Sequence, residues 1–215
     1  MSVPSETIPL SRADRSALSD QKMLDAAFEL ILEHGLEKTT FALIGKRSGY
    51  SRGLVTHRFG SKAGLFEELN KSISRKWLVY LKEEVGDKSG LSAMLSSVDA
   101  LHRWAVERPG DARVLQTLLN DSSNPGSNLP ALANKAHERH HADVADWIRD
   151  GQKNGEIREH IDVEAAASYY VAYVSGIVYL WLINPEVFDF AATNAEMKRQ
   201  VLASLSADPA YRVLA

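Results

Sequence analysis

Apolar residues in this chain recur every three or four positions, and few runs alternate with a period of two. That spacing is the mark of helices with one buried stripe, since a half-buried strand requires strict alternation. Gly and Pro fall at intervals that suit helix ends. The chain is therefore predicted to be all-α. At 215 residues it is long enough for one domain or two.

The first helix is predicted from Ser19 or Asp20 to His34, with Leu24, Ala27, Phe28 and Ile31 as its apolar stripe and Gly35 at its C-cap. Residues 1–18 lack the apolar run of a signal peptide and read as a flexible tail. Thr40 caps a second helix that ends near Ser48–Gly49, with Ile44 turned inward. Ser51 caps a third, whose Val55 and Phe59 face the core while Arg52, Gly53, Thr56 and His57 face outward. Ser61 caps a longer fourth helix through Leu65, Phe66, Leu69, Ile73 and Trp77, bracketed at its end by Gly86 and Gly90. Further helices are predicted over 91–107, 111–119, 131–153, 163–183 and 194–206, with a loop over 120–130.

Charge separates the two ends of the chain. Residues 1–80 hold 12 Lys+Arg against 9 Asp+Glu, whereas the whole chain is at net −3. From Lys38 to Phe66 there is no acidic residue, yet Lys38, Lys46, Arg47, Arg52, Arg58 and Lys62 are present, with His57 among them. A basic segment in an acidic chain, folded as two short helices around a tight turn, suits a polyanion and in particular duplex DNA. Gly49 permits the bend, and Gly53 and Thr56 allow close approach. The start of the fourth helix, at Ser61 and Lys62, offers free N–H groups to a phosphate. The bland reading of Thr40, Ser51 and Ser61 is that they are caps first.

The stretch KTTFALIGKRSGYSRGLVTHRFGSKAGLFEEL resembles the DNA-binding segment of the tetracycline-repressor (TetR) family. Thr40, Ile44, Gly49, Ser51, Gly53, Val55, His57, Phe59, Ser61, Lys62 and Leu65 fall in register with the family pattern. Thr56 stands where the family usually has a phosphate-touching Tyr, and Leu54 replaces a small polar residue and could favour a thymine methyl. Leu43 is apolar at a commonly polar site, and Tyr50 is larger than the usual Val. The resemblance implies an N-terminal three-helix helix-turn-helix domain over 19–66 and a C-terminal helical ligand-binding and dimerisation domain over 67–215. It implies a dimeric cytoplasmic regulator, most simply a repressor of a palindromic operator in double-stranded DNA, released by a small lipophilic or aromatic effector. The DNA-contact candidates are Thr40, Lys46, Ser51, Arg52, Gly53, Leu54, Thr56, His57, Arg58 and Lys62.

The segment 165–183 has no charged residue. Its length nearly suits a membrane span, but Ser168, Ser175, Gly176 and four Tyr favour a helix buried within protein. A monomer would cover one stripe of it, leaving the opposite stripe to a second copy. Val174, Val178, Leu182, Val201 and Leu205 are the interface candidates, with intramolecular core as the competing reading. Aromatic residues gather in the same half, and the resemblance implies an effector pocket among its central helices. Trp104, Leu115, Leu118, Trp147, Tyr169 and Tyr173 are candidates for it, core packing being the alternative for each.

His137, His140 and His141 lie at helical spacing, but no third ligand completes a metal site and no metal or cofactor is assigned. The absence of Cys excludes disulfides and thiolate chemistry and fits a reducing compartment. No nucleophile–base pair or phosphate loop speaks for an enzyme or carrier. The remaining alternative is a DNA-binding regulator controlled by a protein partner.

Overall fold

The computed structural model describes residues 11–124, 127 and 129–214. Among these, the regular elements are nine α-helices followed by a short 3-10 turn, Pro209–Leu214. They fall into two compact units with the boundary between Leu69 and Asn70, three residues beyond the predicted one. That boundary lies inside one unbroken helix, α4, Lys62–Val85.

The first unit is built on α1, Arg12–Lys38. This helix begins seven residues before Ser19, so the predicted tail is shortened. Ser11 accepts from the Asp14 amide and Asp14 accepts from the Ser11 amide, a reciprocal capping box. Residues 1–10 lie outside the described part. Gly35 breaks the helical path with φ 79 and ψ 174, close to the predicted end at His34. Met23, Ala27, Leu30 and Ile31 form the buried stripe of α1 and meet Ile44, Val55, Leu65, Phe66 and Leu69 in this unit's core.

α2, Phe41–Ser48, and α3, Arg52–Phe59, start where the predicted caps stand. Thr40 Oγ1 accepts from the Leu43 amide at 3.3 Å and Ser51 Oγ from the Leu54 amide at 3.1 Å. Gly49, at φ 80, closes α2 in the left-handed region. The turn is drawn hard against α2: the Tyr50 carbonyl oxygen lies 2.7 Å from where a Cβ on Gly45 would sit.

The second unit surrounds α5, Gly90–Glu107, which is buried on most of its faces. The C-terminal half of α4 is fixed to α5 and to α6, Pro109–Ser122, by mixed contacts. Trp77 and Trp104 pack with ring centres 5.4 Å apart, and Lys76 Nζ lies 3.0 Å from the buried Asp111 carboxylate. α6 starts two residues before the predicted Asp111, because Pro109 in the first turn has no N–H to lose. α7, Pro130–Lys153, and α8, Val163–Ile183, match the predicted spans to within one residue. α9, Phe190–Leu205, starts four residues early, capped by Asp189 through the Ala192 amide.

The α7–α8 junction staples this unit together. Glu156 Oε2 accepts from the Leu91 amide at 3.1 Å and so serves the N-terminus of α5. Arg158 N donates to Leu205 O and Ala207 N to Glu156 O, which hold the end of α9.

α8 divides its apolar surface in two. Ala167, Tyr170, Val171, Ile177 and Val178 are buried. Tyr169, Tyr179, Leu180 and Ile183 are exposed, at 64, 47, 52 and 61%. By length and composition alone α8 is long and apolar enough to cross a membrane. In the fold it is a bundle helix with one covered stripe and one open stripe. The predicted interface set lies mainly on the covered side. Val178, Val201 and Leu205 are buried within the protomer, and Val174 and Leu182 are half-buried. The open stripe instead runs through Tyr169, Ala172, Tyr179, Leu180 and Ile183.

Candidate nucleic-acid interface

The basic segment separates into two sets of side chains once its partners are seen. Arg47, Arg58 and Lys62 are turned back onto α1. Arg47 makes a bidentate pair with Glu33, both N···O distances 2.7 Å, with Glu29 3.8 Å away. That hydrogen bond holds the Glu33 carboxyl below its usual range. Arg58 Nε lies 3.2 Å from Asp20 Oδ1. Lys62 Nζ donates to the carbonyls of Leu36 and Glu37 at 2.9 and 3.1 Å.

Lys38, Lys46, Arg52 and His57 form the other set. All four are exposed and, among the described residues, make no ion pair. Arg52 opens α3 and Lys46 lies on the last turn of α2. Gly53 leaves the surface beside Arg52 open, since a Cβ there would meet only Ser51 Oγ at 3.8 Å. Thr56 is exposed but donates its hydroxyl to the Arg52 carbonyl at 3.0 Å. Leu54 is half-buried, and Leu43 is 39% exposed on the adjoining helix. The result is an outer surface carrying cations and small groups, held on a base fastened by further cations. Such a surface suits phosphates first and base edges second.

Arg58 and Lys62, expected from the sequence as DNA contacts, are thus engaged by α1, as is Arg47, for which the sequence offers no role. Their α1 partners are far away in sequence, and only Glu29 and Glu33, four apart on one face, hinted at an acidic strip.

Two of the effector candidates share a groove. Tyr169 and Tyr173 line a groove of about 280 Å³ between α8 and α9, with Tyr170, Met197, Gln200 and Val201. Their rings lie 6.3 Å apart. Trp104 and Leu118 are buried in the core, while Leu115 and Trp147 are half-buried, and none of these four lines that groove. The Trp104 indole Nε1 is buried with no hydrogen-bond partner among the described residues.

The histidines are likewise separated in role. His137 is exposed, and His141 Nε2 lies 3.0 Å from Ser168 Oγ and 3.2 Å from the Glu164 carbonyl. No group of three metal-ligating side chains occurs among the described residues. His140 is tucked edge-on against Tyr170. Burial of its ring, reinforced by His137 and His141, pushes its pKa from the usual 6.5 to about 4. Above about pH 6.5 the folded and unfolded chains both hold it neutral. As the pH falls from 6.5 toward 4, the unfolded chain takes up a proton that the folded chain refuses. Stability is therefore lost over that window and levels off below it. By pH 4.5 the expected loss from this residue is about 2 kcal/mol. Denaturant melts of the native chain and of His140→Asn at pH 7.5 and 4.5 measure it. Equal pH dependence in the two proteins would exclude this origin.

Comparison with known proteins adds to this geometry. Residues 23–69 match the family described as bacterial regulatory proteins, tetR family. Residues 95–206 match the BetI-type transcriptional repressor, C-terminal family. The fatty acid metabolism regulator protein of Bacillus subtilis is 24% identical over 176 residues, covering 80% of this chain and 88% of that protein. SmeT solved with triclosan superposes with a TM-score of 0.77 at 20% identity, over 89% of this chain and 93% of that one. A Saccharomonospora viridis protein solved in complex with choline gives a TM-score of 0.76 at 18% identity, over 89% of this chain and all of that one.

Proposed function

The chain belongs to the tetR family of bacterial regulatory proteins, and on that premise we propose that it acts as a homodimeric cytoplasmic repressor of a palindromic operator, released by a small apolar or aromatic effector. The observation that carries the DNA-contact assignment is the set of exposed basic residues, Lys38, Lys46, Arg52 and His57, that make no ion pair among the described residues around α2 and α3. Thr40 and Ser51 serve as caps and present their helices' first amides toward a phosphate. The open stripe of α8 supports a two-fold dimer, which sets two such surfaces against the two halves of a palindrome.

The effector reading is supported by the tyrosine-lined groove between α8 and α9. Fold neighbours solved with triclosan and with choline are protein–ligand complexes of this architecture. An effector releases DNA by the difference between its affinities for the DNA-competent and DNA-incompetent states. For the two states to exchange from 99:1 to 1:99, that difference must reach ~10⁴-fold.

The test is a compound screen by thermal shift, followed by fluorescence anisotropy on a duplex selected by the native chain from a random palindromic pool. Compounds that raise the melting temperature are expected to weaken duplex binding. A chain whose stabilising compounds all leave duplex affinity unchanged is not effector-released.

A further inference from the structure

We propose that Lys62 is a clasp at the neck of the DNA-reading head, a positioning residue that sets the head's orientation instead of gripping a phosphate. Its ammonium donates to the Leu36 and Glu37 carbonyls, 26 and 25 residues earlier in the chain. Those carbonyls belong to the last turn of α1, immediately before Thr39 and the Thr40 cap of α2. Lys62 itself is the first residue of α4, immediately after α3 and Gly60–Ser61. One ammonium thus ties the entry of the α2–α3 pair to its exit.

The site is built for a cation. The Leu36 and Glu37 carbonyls lie just past the break at Gly35, where no continuing helix supplies the usual amide partners. Thr39, fully buried, covers Gly35 O with its hydroxyl at 2.8 Å and Leu36 O with its amide at 3.2 Å. Among the hydrogen bonds between described residues, Lys62 alone serves Glu37 O, and it completes Leu36 O. The Phe66 ring, 5.7 Å from Nζ, supports the ammonium from below. Two of its three N–H groups are committed before DNA arrives. Without the clasp, α2 and α3 keep their core contacts and their Arg47 and Arg58 pairs to α1, but entry and exit are no longer joined, and binding must also order that junction.

This inference rests on DNA binding by α2 and α3. The experiment measures duplex affinity of the native chain and Lys62→Met from low to high salt, with amide hydrogen exchange over residues 39–43. The expected result is affinity reduced by about tenfold at every salt concentration. The slope of log affinity against log salt is expected to stay unchanged, and the 39–43 amides to exchange faster. Lys62→Arg, which keeps a charged donor, should restore most of the affinity and the slow exchange. A slope reduced by ~0.9 per copy, as for a lost phosphate contact, overturns the proposal whatever the exchange does. Unchanged affinity with unchanged exchange also overturns it. If Lys62→Met does not fold, Lys62→Gln, a shorter neutral donor, is read in the same way. Should the native chain bind no duplex at all, the DNA reading fails, and the exchange at 39–43 decides the clasp by itself.

Discussion

Tyr169→Glu combined with Ile183→Glu is expected to give a folded monomer whose operator affinity is at least ~100-fold below that of the native chain. Both side chains lie on the open stripe of α8, 64 and 61% exposed, so each carboxylate enters the protomer without displacing core. The protomer's own stability should therefore change little. In a two-fold interface the same patch meets itself, so two substitutions place four carboxylates in one buried contact. Burying unpaired charge costs several kcal/mol per ion, which exceeds what the apolar stripe supplies on association. A monomer reaches only one half-site and loses about half of its phosphate and base contacts. Val106→Glu, at an equally exposed apolar position on α5, is the control and should remain dimeric. Sedimentation equilibrium beside a duplex titration reads both effects. A double variant that stays dimeric would remove α8 from the interface.

The reason the open stripe cannot be picked out from sequence is physical. A helix that is apolar around its whole circumference carries no phase: Val174, Val178 and Leu182 look as good an outer face as Tyr169, Leu180 and Ile183. The neighbouring helices, α7 above all, break the tie by covering one side. The short helices of the head were legible for the opposite reason. Thr40, Ser51, Gly49 and Ile44 are each nearly unique solutions to a local demand, a cap, a bend or a buried apical position, so their spacing dictated α2 and α3 almost to the residue. The start of α1 was missed because its capping pair, Ser11 and Asp14, precedes a polar first turn with no apolar periodicity to announce it. The start of α9 was missed because Asp189 follows a loop whose own Asn and Pro looked like sufficient punctuation. Charge was legible as a patch but not as a division of labour. A basic residue's role depends on whether a carboxylate or carbonyl reaches it, and for Arg47, Arg58 and Lys62 that partner lies 14 to 38 residues away on α1.

That division yields the second large effect. Arg52→Ala is expected to weaken operator binding by about 10- to 100-fold at fixed salt. If Arg52 grips a phosphate, the slope of log affinity against log salt should also fall by ~0.9 per copy. If it reads a base edge instead, the affinity falls and the slope holds, and discrimination between duplex sequences relaxes at one position of each half-site. Either way the folded chain should be as stable as the native one, because the Arg52 side chain is exposed and makes no ion pair among the described residues. Arg58→Ala should behave differently. It removes a half-buried pair with Asp20, whose Oδ1 is shielded from solvent, so it should cost about 1–3 kcal/mol in stability and leave the salt slope untouched. The two arginines lie six residues apart on one eight-residue helix, so general electrostatic attraction would weaken binding equally for both. A salt slope that falls for Arg52→Ala and holds for Arg58→Ala separates a contact from a fastener. Equal losses would mean that DNA binding draws on the summed charge of the head, with no role for which cations α1 leaves unclaimed.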